Sequence, residues 1–183
     1  MYANCFCHFL LETHRSLQFF IFTDLTLACL ACYHAYRWNL ISSLNNMLLV
    51  ILHVAFLWLC IGAALYSIQS LYLFFTAELI LARAPLHSLT IGFISAILIA
   101  MATRVSLGHS GRPLEANNYV MTIFTGIGLA AILRILADTS LLNTIFNVQM
   151  NILAALVWII CMLLWVLKFA PIYLSRRADG KPG

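Results

Sequence analysis

The stretch Leu86 to Leu114, LHSLTIGFISAILIAMATRVSLGHSGRPL, decides the fold. Its first part, Leu86 to Thr103, contains no Asp, Glu, Lys or Arg. A hydrocarbon core about 30 Å thick is crossed by about 20 predominantly apolar residues in helical form. Its second part, Thr103 to Leu114, is a polar run that gathers Arg104, His109 and Arg112 with Ser106, Ser110, Gly108, Gly111 and Pro113. Together they read as a membrane-crossing helix followed by a glycine-punctuated turn into the next span.

Working outward, four further segments have the same character: Leu17 to Tyr36, Asn46 to Gln69, Asn118 to Ala137 and Asn151 to Tyr173. Unpaired backbone amides are costly in lipid, so each is expected to be a continuous helix. Composition agrees. Of 183 residues, 63% are hydrophobic and 9% charged, with a mean hydropathy of +0.97, whereas soluble domains are about a quarter charged. The fold class is an all-α, polytopic transmembrane helix bundle of five spans. A sixth would arise only if Leu71 to Leu81 (LYLFFTAELIL) crossed; it is short and carries Glu78, and reads as interfacial or re-entrant. The expected organisation is an N-terminal segment over residues 1–16, the bundle over 17–173 and a cytoplasmic tail over 174–183. Residues 1–16 lack the basic start and small-residue cleavage site of a secretory signal.

The net charge of +4 comes from ten Lys and Arg scattered one or two per loop, which argues against nucleic acid as a partner. The cations sort the helix ends instead. Alternating spans put Arg37, Arg104, Arg112, Lys168, Arg176, Arg177 and Lys181 on one side and Arg15, Arg83 and Arg134 on the other. The positive-inside rule then places the Thr103 to Leu114 turn and the C-terminus in the cytoplasm.

Spacing gives the packing faces. Ser88, Gly92, Ala96 and Ala100 recur every four residues, as do Thr122, Gly126, Ala130 and Arg134. Small residues on one stripe let helix backbones approach closely, so the third and fourth spans are expected to pack together. Arg134 and Asp138 are placed to pair at i, i+4.

Ionisable groups inside a membrane are candidates for function. Asp24 lies within the first span as a helix–helix hydrogen bonder or a proton-path group. Among six histidines, His53 lies about two turns, or about 10 Å, inside the second span, and His87 follows Pro85 in the first turn of the third. Neutral imidazole is a common ligand of haem iron and copper, so His53 and His87 are the ligand candidates, each weighed against a plain hydrogen-bonded or wetted histidine. His87 and His109 are separated by 22 residues of sequence, about 33 Å of helix, and cannot share a metal. His34, His53 and His109 fall toward one side and could share a site. Cys5, Cys7 and His8 form a weak soft-metal set at the start, and the cysteines within apolar stretches read as packing rather than disulfides. CLACYH at Cys29 to His34 lacks the adjacent histidine of a haem-attachment sequence. No phosphate-binding loop, dinucleotide fingerprint, nucleophile elbow or HExxH is present.

The run HSLTIGFISAILIAMATRVSLGHSGRPL (His87 to Leu114) resembles the signature of the NnrS family of haem- and copper-containing membrane proteins. Supporting similarity lies in NNMLLVILHVAFLWLCIGAAL around His53 and in the closing RRADGKPG. The likeness covers the chain from about Asn46; Met1 to Asn45 is similar only in being hydrophobic. It implies a bacterial inner-membrane protein of nitric oxide and nitrosative-stress tolerance, with haem and copper as cofactors. It carries a cofactor-binding role onto His53, His87, Arg104, His109 and Arg112, with Arg104 and Arg112 suited to haem propionates. Family members are about twice this length, so the resemblance also implies a partner, either a missing N-terminal half or a second membrane subunit. From the residues alone, two other readings stand beside it: a transporter or channel half with a polar path through Asp24, Arg134 and Asp138, and a non-catalytic fragment that packs on a partner.

Overall fold

The computed structural model describes the backbone of residues 2–38, 46–139, 144–178 and 180, and the side chains of residues 18–38, 46–139, 146–178 and 180. The side chains of Cys5, Cys7, His8, His14 and Arg15, and all of Lys181, lie outside the described residues. Among the described residues five helices follow one another: α1 (Tyr2–Arg37), α2 (Met47–Thr76), α3 (Ala84–His109), α4 (Asn118–Ala137) and α5 (Thr144–Leu174). Each contains a segment long and apolar enough to cross a membrane, so the chain is an integral membrane helix bundle. Most large side chains on the outer faces of α1 and α5 are exposed, as expected where lipid rather than protein is the neighbour.

Helix ends follow local chemistry more closely than hydropathy does. Asn46 caps α2, its Oδ1 accepting from the Leu49 amide at 3.4 Å, and Asn117 caps α4 by accepting from Val120 at 3.2 Å. Such caps satisfy amides that the first turn leaves without partners. Leu71 to Thr76, expected to be part of an interfacial or re-entrant segment, instead continues α2. The helix stops where Ala77 turns left-handed (φ 59°) and donates its amide to Leu73 O. At 30 residues, α2 is about 45 Å long and exceeds the bilayer core, which allows tilt or protrusion.

The polar run Thr103 to Leu114 is likewise more helical than expected, because α3 runs on to His109. A Schellman motif ends it. The Gly111 amide donates to Gly108 O at 3.3 Å and the Arg112 amide to Leu107 O at 3.0 Å, with Gly111 at φ 69°. This position favours glycine because it lacks a Cβ, and Pro113 then prevents resumption.

Within α3, residues Ser88–Ser95 form a π-helical segment immediately after His87. Ser95 Oγ donates to Thr90 O, five residues back, at 3.0 Å. Gly92 lies under the indole of Trp58 from α2; a methyl there would sit 2.6 Å from the ring. On the other side Trp58 reaches Gly128 of α4. The indole therefore fills a slot between two glycines and ties three helices together. Nearby, Ser88 Oγ donates to Trp58 O at 3.1 Å.

The third and fourth spans do pack together, as their stripes imply. Their glycines have other partners, however: Gly92 receives Trp58 of α2, and Gly126 faces Cys161 Sγ of α5. The core between α2, α3, α4 and α5 contains Ile51, Ala55, Ile99, Ile123, Ile127 and Phe169. Beside it, Trp165 Nε1 donates to fully buried Thr103 Oγ1 at 2.9 Å and stacks on Phe169 at 5.2 Å between ring centres.

Candidate functional site

One end of the bundle joins the end of α2, the start of α3, the end of α4 and the start of α5. The loop leading into α3 is held from below by Gln69, whose Nε2 donates to Ile80 O at 2.6 Å and Ala82 O at 3.0 Å. Leu81 and Ala82 both have positive φ, 63° and 39°, a conformation costly for residues with a Cβ unless surrounding contacts impose it. Gln69 supplies two of those contacts. From this loop Pro85 opens the first turn of α3, which carries His87.

His87 Nδ1 lies 2.7 Å from Asp138 Oδ2. A carboxylate accepts and does not donate, so the Nδ1 hydrogen points at Asp138, and in the neutral ring Nε2 carries the lone pair. Among the described residues Nε2 has no hydrogen-bond partner. The other oxygen, Asp138 Oδ1, accepts from Arg134 Nη1 at 2.8 Å, the i, i+4 pair that spacing indicates. Arg134 also donates to Asn151 Oδ1 on α5. The side chains of His87 and Asp138 are 16% and 12% exposed, and that of Arg134 is 22% exposed, so solvent screens this chain of contacts little. With His87 neutral, the charges of Arg134 and Asp138 cancel.

His87, Arg134 and Asn151 line the polar side of a cavity of about 360 Å³; Ile91, Ala154, Ala155, Trp158 and Ile159 form its apolar walls. Trp158 Nε1 donates to Ser95 Oγ at 3.2 Å, fixing one wall to the π segment. A volume in this range holds small-molecule ligands elsewhere, about 300–1,000 Å³. The arrangement can present an oriented imidazole nitrogen to a ligand bordered by hydrocarbon on one side and a guanidinium on the other.

Other sequence candidates lie elsewhere. His53, in the second turn of α2, is at the opposite end, with Nδ1 2.9 Å from Leu49 O. Trp38 lies between His34 (6.3 Å) and His53 (6.0 Å) and packs on Phe56 at 4.5 Å. His34 and His53 thus approach a common indole, while His109 borders a separate cavity with Arg177. Arg104 and His109 are exposed at the end of α3 remote from His87, and Arg112 follows in the turn. Among the described residues, no three His, Cys, Asp or Glu side chains are grouped to hold a metal.

Asp24 has a partner that its own helix does not reveal: Ser70 Oγ of α2 donates to Asp24 Oδ2. The contribution of Asp138 to His87 is also invisible in sequence, since 51 residues separate them. The available signal was only that Asp138 and His87 both border spans on the same side.

A family model described as NnrS protein matches residues 2–177. The match therefore includes residues 2–45, where sequence reading found likeness in hydrophobicity alone. No curated protein and no solved structure matches the chain.

Proposed function

We propose, since the chain belongs to the NnrS family, that this membrane protein serves nitric oxide tolerance as a haem- and copper-associated protein, with His87 as ligand through Nε2. The observation that carries this reading is the His87–Asp138 pair at the cavity. Metal-ligating histidines commonly donate their second ring N–H to a carboxylate, which fixes the tautomer and raises ligand basicity. Asp138 is positioned for that work.

The residues fit haem. His87 would hold the group through Nε2, the apolar side chains from Ala154 to Ile159 would lie against it, and the Arg134 guanidinium would pair with a carboxylate of it. Bound there, haem would supply an iron centre for diatomic ligands such as nitric oxide. The protein's own part is to orient the imidazole, to balance the Asp138 charge with Arg134, and to keep water from the apolar walls. Copper fits less well, because the described residues bring together no three-ligand set. Copper ligands would come from a second membrane subunit or an additional N-terminal half, for which the exposed apolar faces of the bundle leave room. His53, Arg104, His109 and Arg112 are remote from His87 and would not hold this haem. Clustering of Arg and Lys at the end opposite His87 favours its cytoplasmic placement in a bacterial inner membrane, which reporters fused after the C-terminus would test.

The decisive experiment is an optical spectrum of detergent-purified protein reconstituted with haem. Wild type is expected to give a Soret band that His87→Ala removes, Asp138→Asn shifts or weakens, and His53→Ala leaves in place. A band indifferent to His87→Ala, or none in wild type, would overturn the assignment.

A further inference from the structure

We propose that the opposite end of the bundle contains a binding site for the phosphate headgroup of an anionic membrane lipid. It lies between the C-terminal turns of α3 and α5, far from His87, and does not depend on the haem reading.

The site is made by the chain folding back on itself. After α5 the backbone returns to α3, where the Ala178 amide donates to Ser110 O at 2.8 Å. This closes a cavity of about 340 Å³ bordered by His109, Ser175 and Arg177 on its polar side and by Val105 and Ile172 on its apolar side. Ser106 Oγ and Tyr173 OH hydrogen-bond each other across the two helices, while Ser106 also donates to Ala102 O at 2.6 Å. The floor of the cavity is therefore fixed by contacts made without a ligand.

Charge identifies the occupant. Arg177 and His109 border the cavity itself, and Arg112 is half-buried in the turn that follows α3. Arg112 makes no ion pair among the described residues, and its Nη1 is buried without a hydrogen-bond partner. Guanidinium forks match phosphate oxygens, and hydroxyl groups supply neutral donors beside them. Val105 and Ile172 favour a lipid over a free anion, because they offer hydrocarbon contact next to the phosphate position. Tyr173 lies in the last turn of α5, and aromatic side chains are enriched at the ends of membrane helices, where they border headgroups; basic pockets between membrane helices bind anionic headgroups.

The test uses the full chain in nanodiscs of mixed phosphatidylglycerol and phosphatidylcholine, with retained lipid measured after extraction into detergent. Wild type is expected to retain phosphatidylglycerol over phosphatidylcholine. Arg177→Gln should cut that enrichment about five-fold, the effect of one interfacial cation, whereas Arg177→Lys should keep most of it. Arg176→Gln, outside the cavity, should leave it nearly unchanged. Equal losses in Arg176→Gln and Arg177→Gln would reduce the effect to bulk charge and overturn the site. So would the absence of any preference in wild type. Displacement of retained lipid by inorganic phosphate would make free phosphate the ligand and overturn the lipid assignment. Helicity and monodispersity of each variant separate loss of binding from misfolding, and His109→Gln provides a second variant in the same cavity.

Discussion

The two ends of the bundle solve the problem of charge in opposite ways. At the His87 end, Asp138 accepts from both His87 and Arg134, and Arg134 reaches on to Asn151. At the His109 end, Arg104, Arg112 and Arg176 have no ionic partner among the described residues. Burial explains the contrast for Arg104 and Arg176, which are exposed. A charge withdrawn from water needs a partner and hydrogen bonds, whereas exposed guanidinium groups remain stable in water or among headgroups. The first end is built to hold side chains in one geometry; the second leaves charge available.

The strongest way to break this contrast is Asp138→Ala. It removes the carboxylate that both His87 and Arg134 contact, and hydrogen bonds to charged groups are worth about 1.5–3 kcal/mol each. An overall loss of about 3 kcal/mol is expected, read as a lower denaturation midpoint in detergent. A loss below about 0.5 kcal/mol would mean that the two ends are equally tolerant. Gly92→Ala sharpens the comparison by disturbing the seam that positions the first end. The new methyl meets Trp58 at 2.6 Å, with an overpacking cost of about 1–3 kcal/mol. Trp58→Ala in the same chain should relieve part of the Gly92→Ala penalty, so a double-mutant cycle must give a favourable coupling. At the other end, Gly111→Ala places a Cβ at φ 69° and should cost about 1 kcal/mol. Because Gly111 lies in the turn after α3, this change should leave any spectrum that depends on His87 untouched. A spectral change there would show that the ends are coupled.

Much of the architecture was legible because the bilayer imposes a simple length rule. The five spans from Leu17 to Tyr173 are present as helices. Their boundaries were less legible. Hydropathy counts the residues inside hydrocarbon, but Thr76 and His109 end their helices where the backbone changes hand, beyond that thickness. The Arg134–Asp138 pair could be read because both residues occupy one helix face. The pairing of Asp138 with His87, and of Asp24 with Ser70, could not, because each depends on which helices are neighbours. Likewise Gly92 and Gly126 announced close packing without identifying Trp58 and Cys161 as what fills the space.

The π-helical segment Ser88–Ser95 has a geometric consequence for the histidine before it. In an α-helix each residue advances the chain by about 100° around the axis. A π segment accommodates an extra residue within its widened turn, and so acts as a phase adjuster between His87 and the remainder of α3. Rewinding the same residues of this segment as ordinary α-helix would swing His87 by about 100° relative to Thr103 and Ser106. The imidazole would then leave Asp138 behind even though every residue of the pair remained in the sequence.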